Sequence, residues 1–257
     1  MNLKEYFFDL FNLFIEKKVD EEKISILLKK ILPLNTGLEL IRLGEENDGG
    51  YLIPNDLNNV ELCFSAGVGE LTKFEKDLKQ KYNINSILAD FNSINKNILP
   101  ESSKFIKKKI TFELGKSNLN LNKFISSEKD IILKIDIEGD EYLNLINFDE
   151  KKFDNVRILI IELHDLRNLR SNFFYQMFEK LLNKLCMHFY ICHLHPNNTS
   201  KIKKIGKYLI PDMIELTLIN KSRINKKLSY YSNIPHPLDQ KTDPDKRDIF
   251  VFDNWKN

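Results

Sequence analysis

No other stretch restricts the possible folds of this chain as much as residues 130–141, with the sequence D-I-I-L-K-I-D-I-E-G-D-E. The residues after Asp130 are consecutive apolar residues that do not alternate with polar ones, which is typical of a strand buried on both faces in a parallel sheet. Lys134, Asp136 and Glu138 follow at alternate positions and therefore point to one side. The glycine and acidic pair that come next suit the first turn of a helix. Because ligands bind at the carboxyl ends of such strands, we expect a site here.

A second buried strand is predicted at residues 157–164, R-I-L-I-I-E-L-H, and it ends in a similar way. Glu162 and His164 again stand at alternate positions. Ionisable groups at the ends of two neighbouring strands favour an active site. The alternative interpretation is a buried ion pair between Lys134 and a carboxylate.

The composition is that of an ordinary globular protein and excludes several classes of function. The 257 residues suffice for one large α/β domain, and 39 basic against 37 acidic residues give a net charge of only +2. Nothing in this balance demands a nucleic acid or an anionic membrane. The three cysteines lack metal-ligand spacing, and no apolar run reaches the ~18 residues of a membrane span. We therefore predict a cytoplasmic protein without membrane insertion.

Strand-like and helix-like patterns alternate along most of the chain. Strands are predicted near residues 38–43, 60–66, 86–91, 109–114, 131–136, 157–163, 188–194 and 213–220. Helices are predicted near residues 71–82, 121–127, 141–146 and 172–187. Such alternation predicts an α/β fold with a mostly parallel sheet and right-handed crossovers, in which the last two strands can include an antiparallel pair.

Residues 1–34 are predicted to form an N-terminal helical extension, ahead of a main domain at residues 35–257. An apolar stripe at helical spacing comes first, and a second helix is expected from Asp20 until Pro33 stops it. The stripe could pack on the main domain, form a homodimer contact or act as a substrate lid. After Lys221 the main domain ends in a loop-rich tail that could cover the open top of the sheet.

A short glycine loop at residues 62–70, L-C-F-S-A-G-V-G-E, joins the predicted strand 60–66 to a helix. Gly67 and Gly69 let the backbone approach a ligand closely, and Asp90 after the next strand suits a ribose. The third glycine of a dinucleotide fingerprint is missing, and so is a P-loop. An adenosine-type cofactor without pyrophosphate, such as S-adenosylmethionine, therefore fits best. Its predicted binding residues are Asp48, Tyr51, Ser65, Ala66, Gly67, Gly69, Glu70, Asp90 and Phe91.

Several motifs together resemble the FkbM-type S-adenosylmethionine-dependent methyltransferases. They are R-L-G at 42–44, D-G-G-Y at 48–51, F-S-A-G-V-G at 64–69, F-E at 74–75, K-I-D-I-E-G at 134–139 and I-E-L-H at 161–164. The resemblance covers roughly residues 38–220. It implies a class I, Rossmann-like methyltransferase fold with a seven-stranded, mostly parallel sheet and an antiparallel last strand. Ser65 stands where many class I enzymes have an acidic residue, so Asp48 or Glu70 would help to hold the cofactor.

The resemblance also implies O-methylation, commonly of a sugar hydroxyl in a glycan or natural product. The chain is similar to methyltransferases of bacterial capsule gene clusters, which implies a nucleotide-linked heptose as acceptor in capsular polysaccharide biosynthesis. Two other classes stay open. One is an NAD-type oxidoreductase, which the incomplete glycine fingerprint disfavours, and the other is a non-catalytic binding protein with the same fold.

The catalytic residues are expected at the ends of the two central strands: His164, Asp136, Glu138 and Lys134. His164 is the first candidate for general base, because its unperturbed pKa lies nearest to neutral pH, and Asp136 is the second. Asp136, Glu162 and His164, with Glu138 as a further optional ligand, could instead hold a divalent metal such as Mg²⁺ or Mn²⁺ that lowers the pKa of the substrate hydroxyl. The same groups could also form a hydrogen-bond network around Lys134.

Candidate substrate-binding residues lie outside these two strands. Arg167 and Arg170 follow His164 closely and could contact the phosphates of a nucleotide-sugar, although exposed loop arginines are common. His236, in the tail, forms a histidine group with His193 and His195. This group is a weaker candidate, because a His-Leu-His-Pro sequence is more often structural.

Overall fold

The structure is a computed structural model and describes residues 16–113, 115–125, 130–231 and 235–256. The apolar stripe predicted near the N-terminus lies outside the described residues, and so does its proposed homodimer contact. The helices are α1 (Glu21–Lys30), α2 (Lys73–Tyr82), α3 (Leu121–Phe124), α4 (Glu141–Ile146), α5 (Glu150–Phe153), α6 (Asn172–His188) and α7 (Phe252–Lys256).

The strands are between two and eight residues long. They are β1 (Leu34–Asn35), β2 (Leu40–Gly44), β3 (Gly50–Pro54), β4 (Leu62–Ala66), β5 (Asn85–Asp90), β6 (Lys104–Lys107), β7 (Lys109–Ile110), β8 (Asn118–Leu119), β9 (Ile131–Ile135), β10 (Val156–Leu163), β11 (Phe189–Pro196), β12 (Ile202–Ile205), β13 (Tyr208–Pro211), β14 (Ile214–Asn220) and β15 (Ser229–Tyr230).

A seven-stranded sheet with the order β11-β14-β10-β9-β4-β5-β6 forms the centre of the fold. Strands β4, β5, β6, β9 and β10 run parallel to one another, whereas β14 runs antiparallel to both β10 and β11. This confirms the prediction of a mostly parallel sheet whose last strand is antiparallel. The strand order reverses at β4, between β5 and β9, which is where an open α/β sheet forms a ligand crevice.

The central strands are buried because their sequences are largely apolar and do not alternate with polar residues. Every residue of β9 is buried, and on β10 only Glu162 is partly exposed. One face of the sheet is covered by α4 and by α6, which buries an apolar stripe that includes Phe178 and Leu182. The other face is covered by α2 and by the β2–β3 hairpin, which place Phe74 and Leu52 on it. The polar ends of β9 and β10 therefore meet at one edge of the sheet.

The third parallel strand is not where the sequence predicts it. The expected strand at residues 109–114 contributes only β7, which pairs with β8 in a separate two-stranded sheet. The edge position of the main sheet is taken by β6, whose sequence K-F-I-K has lysines at both ends. Charged residues protect an edge strand from further pairing, and they also hide its apolar signal in the sequence. The predicted helix at 121–127 is described only as α3, and residues 126–129 lie outside the described part of the chain.

The second predicted N-terminal helix packs on the main domain. Helix α1 follows Asp20, as expected, and buries Ile24, Leu27 and Leu28. It lies against α7, whose Trp255 is fully buried and donates its indole N–H to the carbonyl of Leu209. The division of the chain at residues 34 and 35 stays a prediction. No helix in the described part of the chain has the length and apolarity required to cross a bilayer.

Candidate active site

A cleft of about 390 Å³ opens at the carboxyl ends of β4, β5 and β9. It brings together the predicted cofactor-binding residues Asp48, Tyr51, Gly67, Gly69, Glu70, Asp90 and Phe91, with the predicted catalytic residues Lys134, Asp136 and Glu138. Ser65 and Ala66 do not line the cleft, because both are fully buried behind it. The switch point of the sheet is therefore the main candidate for a binding site.

The two glycines of the loop, Gly67 and Gly69, are suited to their positions for different physical reasons. At Gly67, φ is +74°, and an added Cβ would lie 1.5 Å from the backbone oxygen of Asp136. The same loop is held to β9 by the Asp136 N–H, which donates to the carbonyl of Ala66 at 2.9 Å. At Gly69, φ is +53° and no atom lies within 4 Å of an added Cβ. The first glycine therefore allows β4 and β9 to approach, and the second leaves open space in the cleft.

Asp90 fixes the conformation of the glycine loop. Its Oδ2 accepts the backbone N–H groups of Val68 and Gly69 at 2.9 and 3.0 Å, and its Oδ1 accepts that of Asn92 at 2.7 Å. A carboxylate offers about four lone-pair positions, so Asp90 can still accept a further donor such as a ribose hydroxyl. The loop N–H groups that could bind a phosphate already face this negative charge.

A buried hydrogen-bonded group lies directly behind the cleft. The hydroxyl of Ser65 donates to Glu75 Oε1 at 2.6 Å, and Lys134 Nζ lies 3.1 Å from the same oxygen. Glu75 is fully buried, and only 3% of the Lys134 side chain is exposed. Burial lowers the pKa of Lys134, but the charge and hydrogen bond of Glu75 and the charge of Asp136 act against it and raise this pKa, so Lys134 stays charged. The Lys134 ammonium also lies 5.2 Å from the ring centre of Tyr51.

The cleft is rich in carboxylates whose charges are not neutralised by its lysines. Lys134 is paired with Glu75, and Lys109 with Asp140 at 2.6 Å. Burial, with a further contribution from Glu215, raises the pKa of Asp48. The carboxylates on the cleft are Asp48, Glu70, Asp90, Asp136 and Glu138. Such a site attracts a positively charged ligand more readily than an anion.

His164 is held at the rim of the cleft by Glu141, which the sequence analysis does not assign to the site. Nδ1 of His164 lies 2.9 Å from Glu141 Oε1, which also accepts the N–H of Ile137 at 3.0 Å. Glu141 is fully buried. Nε2 of His164 faces Glu138 at 3.5 Å and Asp136 at 3.8 Å. The structure thus brings together three of the predicted catalytic residues, with Glu141 orienting the imidazole ring.

The environment changes the order of the two candidate bases. Burial lowers the pKa of His164, but the hydrogen bond and charge of Glu141 outweigh it and raise this pKa to about 9. Burial raises the pKa of Asp136 to about 6, against the opposing effect of His164. At neutral pH, His164 therefore carries its proton and Asp136 is ionised. Asp136, rather than His164, is the group that is free to accept a proton.

Glu162 lies apart from the group that could hold a metal. In the described residues, one set of histidine and carboxylate groups has its ligand atoms within 4.8 Å of one another, and it contains Asp136, Glu138 and His164. Glu162 instead accepts a hydrogen bond from Asn197 at 2.8 Å and stands opposite Glu215 in the sheet. Burial raises the pKa of Glu162 to about 9. Of the predicted metal ligands, Asp136, His164 and the optional ligand Glu138 therefore lie together, and Glu162 lies apart.

The three predicted substrate-binding residues do not line the cleft. Arg167 is paired with Asp212 and with Asp165, and Arg170 lies 3.7 Å from Glu21. His236 lines a separate small cavity beside Tyr231, and its pKa is lowered by burial. Both arginines thus face carboxylates of the same chain. A role for these three residues in substrate binding stays a prediction.

The fold and the site define the class of protein, and one comparison gives the family. A seven-stranded mixed sheet with a glycine-loop cleft at its switch point is the α/β fold of a class I methyltransferase. The model of the methyltransferase FkbM domain matches residues 43–191, more than half of the chain. The protein therefore belongs to the FkbM methyltransferase family.

Two further comparisons add little to this assignment. A crystal structure of a methyltransferase from Pyrococcus furiosus is similar over 85% of this chain and 93% of that one, with 11% identity and a TM-score of 0.31. This structural similarity and this sequence identity are too low to support an argument about function. No curated protein matches the chain significantly.

Proposed function

We propose that this methyltransferase uses S-adenosylmethionine to methylate a hydroxyl of a sugar or of a nucleotide-linked sugar. The observation that carries the proposal is an acidic cleft with a carboxylate–imidazole group at its rim. S-adenosylmethionine brings a sulfonium and an ammonium group, both positive, and one carboxylate, so its net charge is about +1 at neutral pH. The cleft offers five carboxylates, while its two lysines are already paired with Glu75 and Asp140. The charge of the cleft therefore suits this cofactor.

The glycine loop disfavours the alternative of an NAD-type oxidoreductase. A pyrophosphate would need the free N–H groups of the loop and helix terminus. Here Val68 and Gly69 donate theirs to Asp90. A phosphate placed at the same position would be repelled by this carboxylate. Asp90 leaves room for a ribose, and the exposed ring of Phe91 lies next to it on the cleft, where an adenine could stack.

The rim of the cleft supplies what an acceptor hydroxyl needs. S-adenosylmethionine, when bound, provides an activated methyl group. A hydroxyl is a weak nucleophile at neutral pH, so its proton has to be removed as it reacts. Asp136 is ionised at neutral pH and can take this proton, while Glu141 and Glu138 hold the His164 ring beside it. Carboxylates also accept hydrogen bonds from the other hydroxyls of a sugar.

The finer assignment follows from the sequence resemblance. It identifies a nucleotide-linked heptose of capsular polysaccharide biosynthesis as the proposed acceptor, and the cytoplasm as the proposed location. Another glycan or a natural product is the alternative acceptor. A mass-spectrometric screen tests this choice: the protein is incubated with S-adenosylmethionine and a panel of nucleotide-sugars. The gain of one methyl group on a heptose nucleotide alone supports the proposal, and methylation of unrelated acceptors alone contradicts it.

Ligand binding tests the cofactor assignment directly. We expect S-adenosylhomocysteine to bind in isothermal titration calorimetry and to raise the melting temperature, because ligands that bind only the folded state stabilise it. NAD⁺ is expected to do neither, since its pyrophosphate would meet Asp90. Tight binding of NAD⁺ without binding of S-adenosylhomocysteine would overturn the proposal. Binding of neither ligand would support the non-catalytic alternative.

The variant Asp90→Ala should weaken binding of S-adenosylhomocysteine about 10- to 100-fold, because a hydrogen bond to a charged group contributes about 1.5–3 kcal/mol. It removes the acceptor of both loop N–H groups and the proposed ribose contact. Calorimetric titration measures the effect. The matched control is Asp154→Ala, which removes a carboxylate at the end of α5, outside the cleft. Equal losses in both variants would contradict the assignment of Asp90.

A further inference from the structure

We propose that Asp136, Glu138 and His164 form a binding site for a divalent cation of the Mn²⁺ or Mg²⁺ type. The binding itself does not depend on which acceptor is methylated. Only its catalytic purpose, the activation of a hydroxyl, rests on the proposed function. The site lies on two elements that the fold fixes independently, because Asp136 and Glu138 follow β9 and His164 follows β10.

The distances between the three groups suit one ion. Nε2 of His164 lies 3.5 Å from Glu138 Oε2 and 3.8 Å from Asp136 Oδ1. An octahedral ion with bonds of about 2.1 Å sets its ligand atoms about 3.0 Å apart in cis and about 4.2 Å apart in trans. All three ligand atoms lie within 4.8 Å of one another. A cation at their centre therefore requires only small side-chain movements.

One buried polar atom points into this space without a hydrogen-bond partner. Oδ1 of Asp136 is buried and accepts no hydrogen bond from any described residue. Nε2 of His164, on a side chain of which only 9% is exposed, lies 3.8 Å from this oxygen. Buried polar atoms are almost always paired, so the Asp136 oxygen indicates a missing partner. A cation bound between the two groups would satisfy it.

Glu141 provides the support that a metal-binding histidine usually has. It holds Nδ1 of His164 at 2.9 Å and is itself fixed by the Ile137 N–H. A carboxylate behind a ligating imidazole sets its tautomer and its direction, and the metal takes the place of the proton on the other nitrogen, so binding releases that proton. Glu141 has no exposed surface, so ordering the ring at this position is the role that its contacts define.

The ligand types decide the class of cation and leave room for an acceptor. Two carboxylate oxygens suit Mg²⁺ and Mn²⁺, and one imidazole favours Mn²⁺ of the two. Three protein ligands leave about three positions of an octahedral ion open. Glu138 is mostly exposed, with 85% of its side chain accessible, so the open positions face the solvent side of the cleft. An acceptor hydroxyl bound there would have a lowered pKa, which deepens the role proposed for this rim.

Binding of Mn²⁺ to the full-length protein after exhaustive chelation tests the site. Electron paramagnetic resonance measures free Mn²⁺, and calorimetry gives the stoichiometry. We expect one ion per chain, with binding weakened about 100-fold or lost in His164→Ala and Glu138→Gln. Glu141→Gln should weaken it about 10- to 100-fold, because outer carboxylates of metal sites contribute this much. Asp165→Asn is the matched control: it removes a partly exposed carboxylate adjacent to His164, and Asn tolerates its φ of +63°.

The outcomes separate this proposal from the proposed function. The site is supported if the wild-type protein binds one ion, the affinity falls in the three site variants, and the affinity stays unchanged in Asp165→Asn. This holds whether or not methyl transfer is detected. No binding by the wild-type protein, or an equal loss in Asp165→Asn, overturns it. Methyl transfer that continues at an unchanged rate without any divalent ion would leave the binding result standing but refute the catalytic purpose.

Discussion

Replacing Asp136 with Asn should lower kcat for methyl transfer about 10²- to 10⁴-fold, the usual contribution of a positioned acid or base. The loss follows from both roles that the structure suggests for this residue, since Asn can neither take up the hydroxyl proton nor ligate a cation strongly. The substitution has nearly the same volume, and the backbone N–H that binds the Ala66 carbonyl is kept. Binding of S-adenosylhomocysteine should therefore change little in comparison with kcat.

Steady-state kinetics with S-adenosylmethionine and the acceptor identified by mass spectrometry provide the measurement. His164→Gln should give a comparable loss, because it removes the imidazole that lies between Glu141 and Asp136. The control is His188→Gln at the end of α6, where the ring packs near Phe153 and Phe189. Near-normal rates in both Asp136→Asn and His164→Gln would refute the catalytic assignment, provided that circular dichroism shows folded protein.

The sequence allowed the central part of the site to be predicted because periodicity and position in the sheet suffice for it. Apolar runs without alternation identify β9 and β10 as buried parallel strands, and neighbouring parallel strands end at one edge. Asp136, Glu138 and His164 then had to come close together, and the structure brings them within a few ångströms of one another. The glycine loop and Asp90 could be placed by the same argument. None of these inferences needed side-chain geometry.

Two buried glutamates of the site could not be found in this way. Glu75 and Glu141 lie on helices α2 and α4, where glutamate is common and usually exposed. Their burial depends on how each helix packs on the sheet, which periodicity does not determine. The sequence did contain local signals for both. Glu75 belongs to the F-E motif at 74–75, and Glu141 begins a helix directly after the end of a strand. The third strand was misplaced for a similar reason, since an edge strand with lysines at its ends has no buried pattern.

Replacing Lys134 with Met should cost about 3–5 kcal/mol of stability, because it leaves the fully buried Glu75 charge without its cation. For a domain of this size the melting temperature would fall by about 6–20 °C. The double variant Lys134→Met, Glu75→Gln should recover most of this loss, since Ser65 can still donate to the Gln side chain and no buried charge remains. Thermal unfolding followed by circular dichroism measures both variants.

The control for burial is Lys246→Met. This substitution breaks a surface ion pair between Lys246 and Asp243, whose length of 3.2 Å is nearly that of the buried pair. Its melting temperature should stay unchanged, because exposed ion pairs contribute little. Equal effects in Lys134→Met and Lys246→Met would show that burial of the Glu75–Lys134 pair does not control its energy.

The double variant also decides between the two interpretations of Lys134, a catalytic group or one half of a structural ion pair. Its Nζ is paired with Glu75 and lies 5.2 and 5.7 Å from the ring centres of Tyr51 and Phe74, with almost no surface exposed to an acceptor. We therefore expect the stable double variant to keep a kcat within about tenfold of the wild type, well short of the loss from removing an acid or base. A loss of two orders of magnitude or more in a folded double variant would instead make Lys134 a participant in the reaction, with Glu75 and Ser65 as the groups that position it.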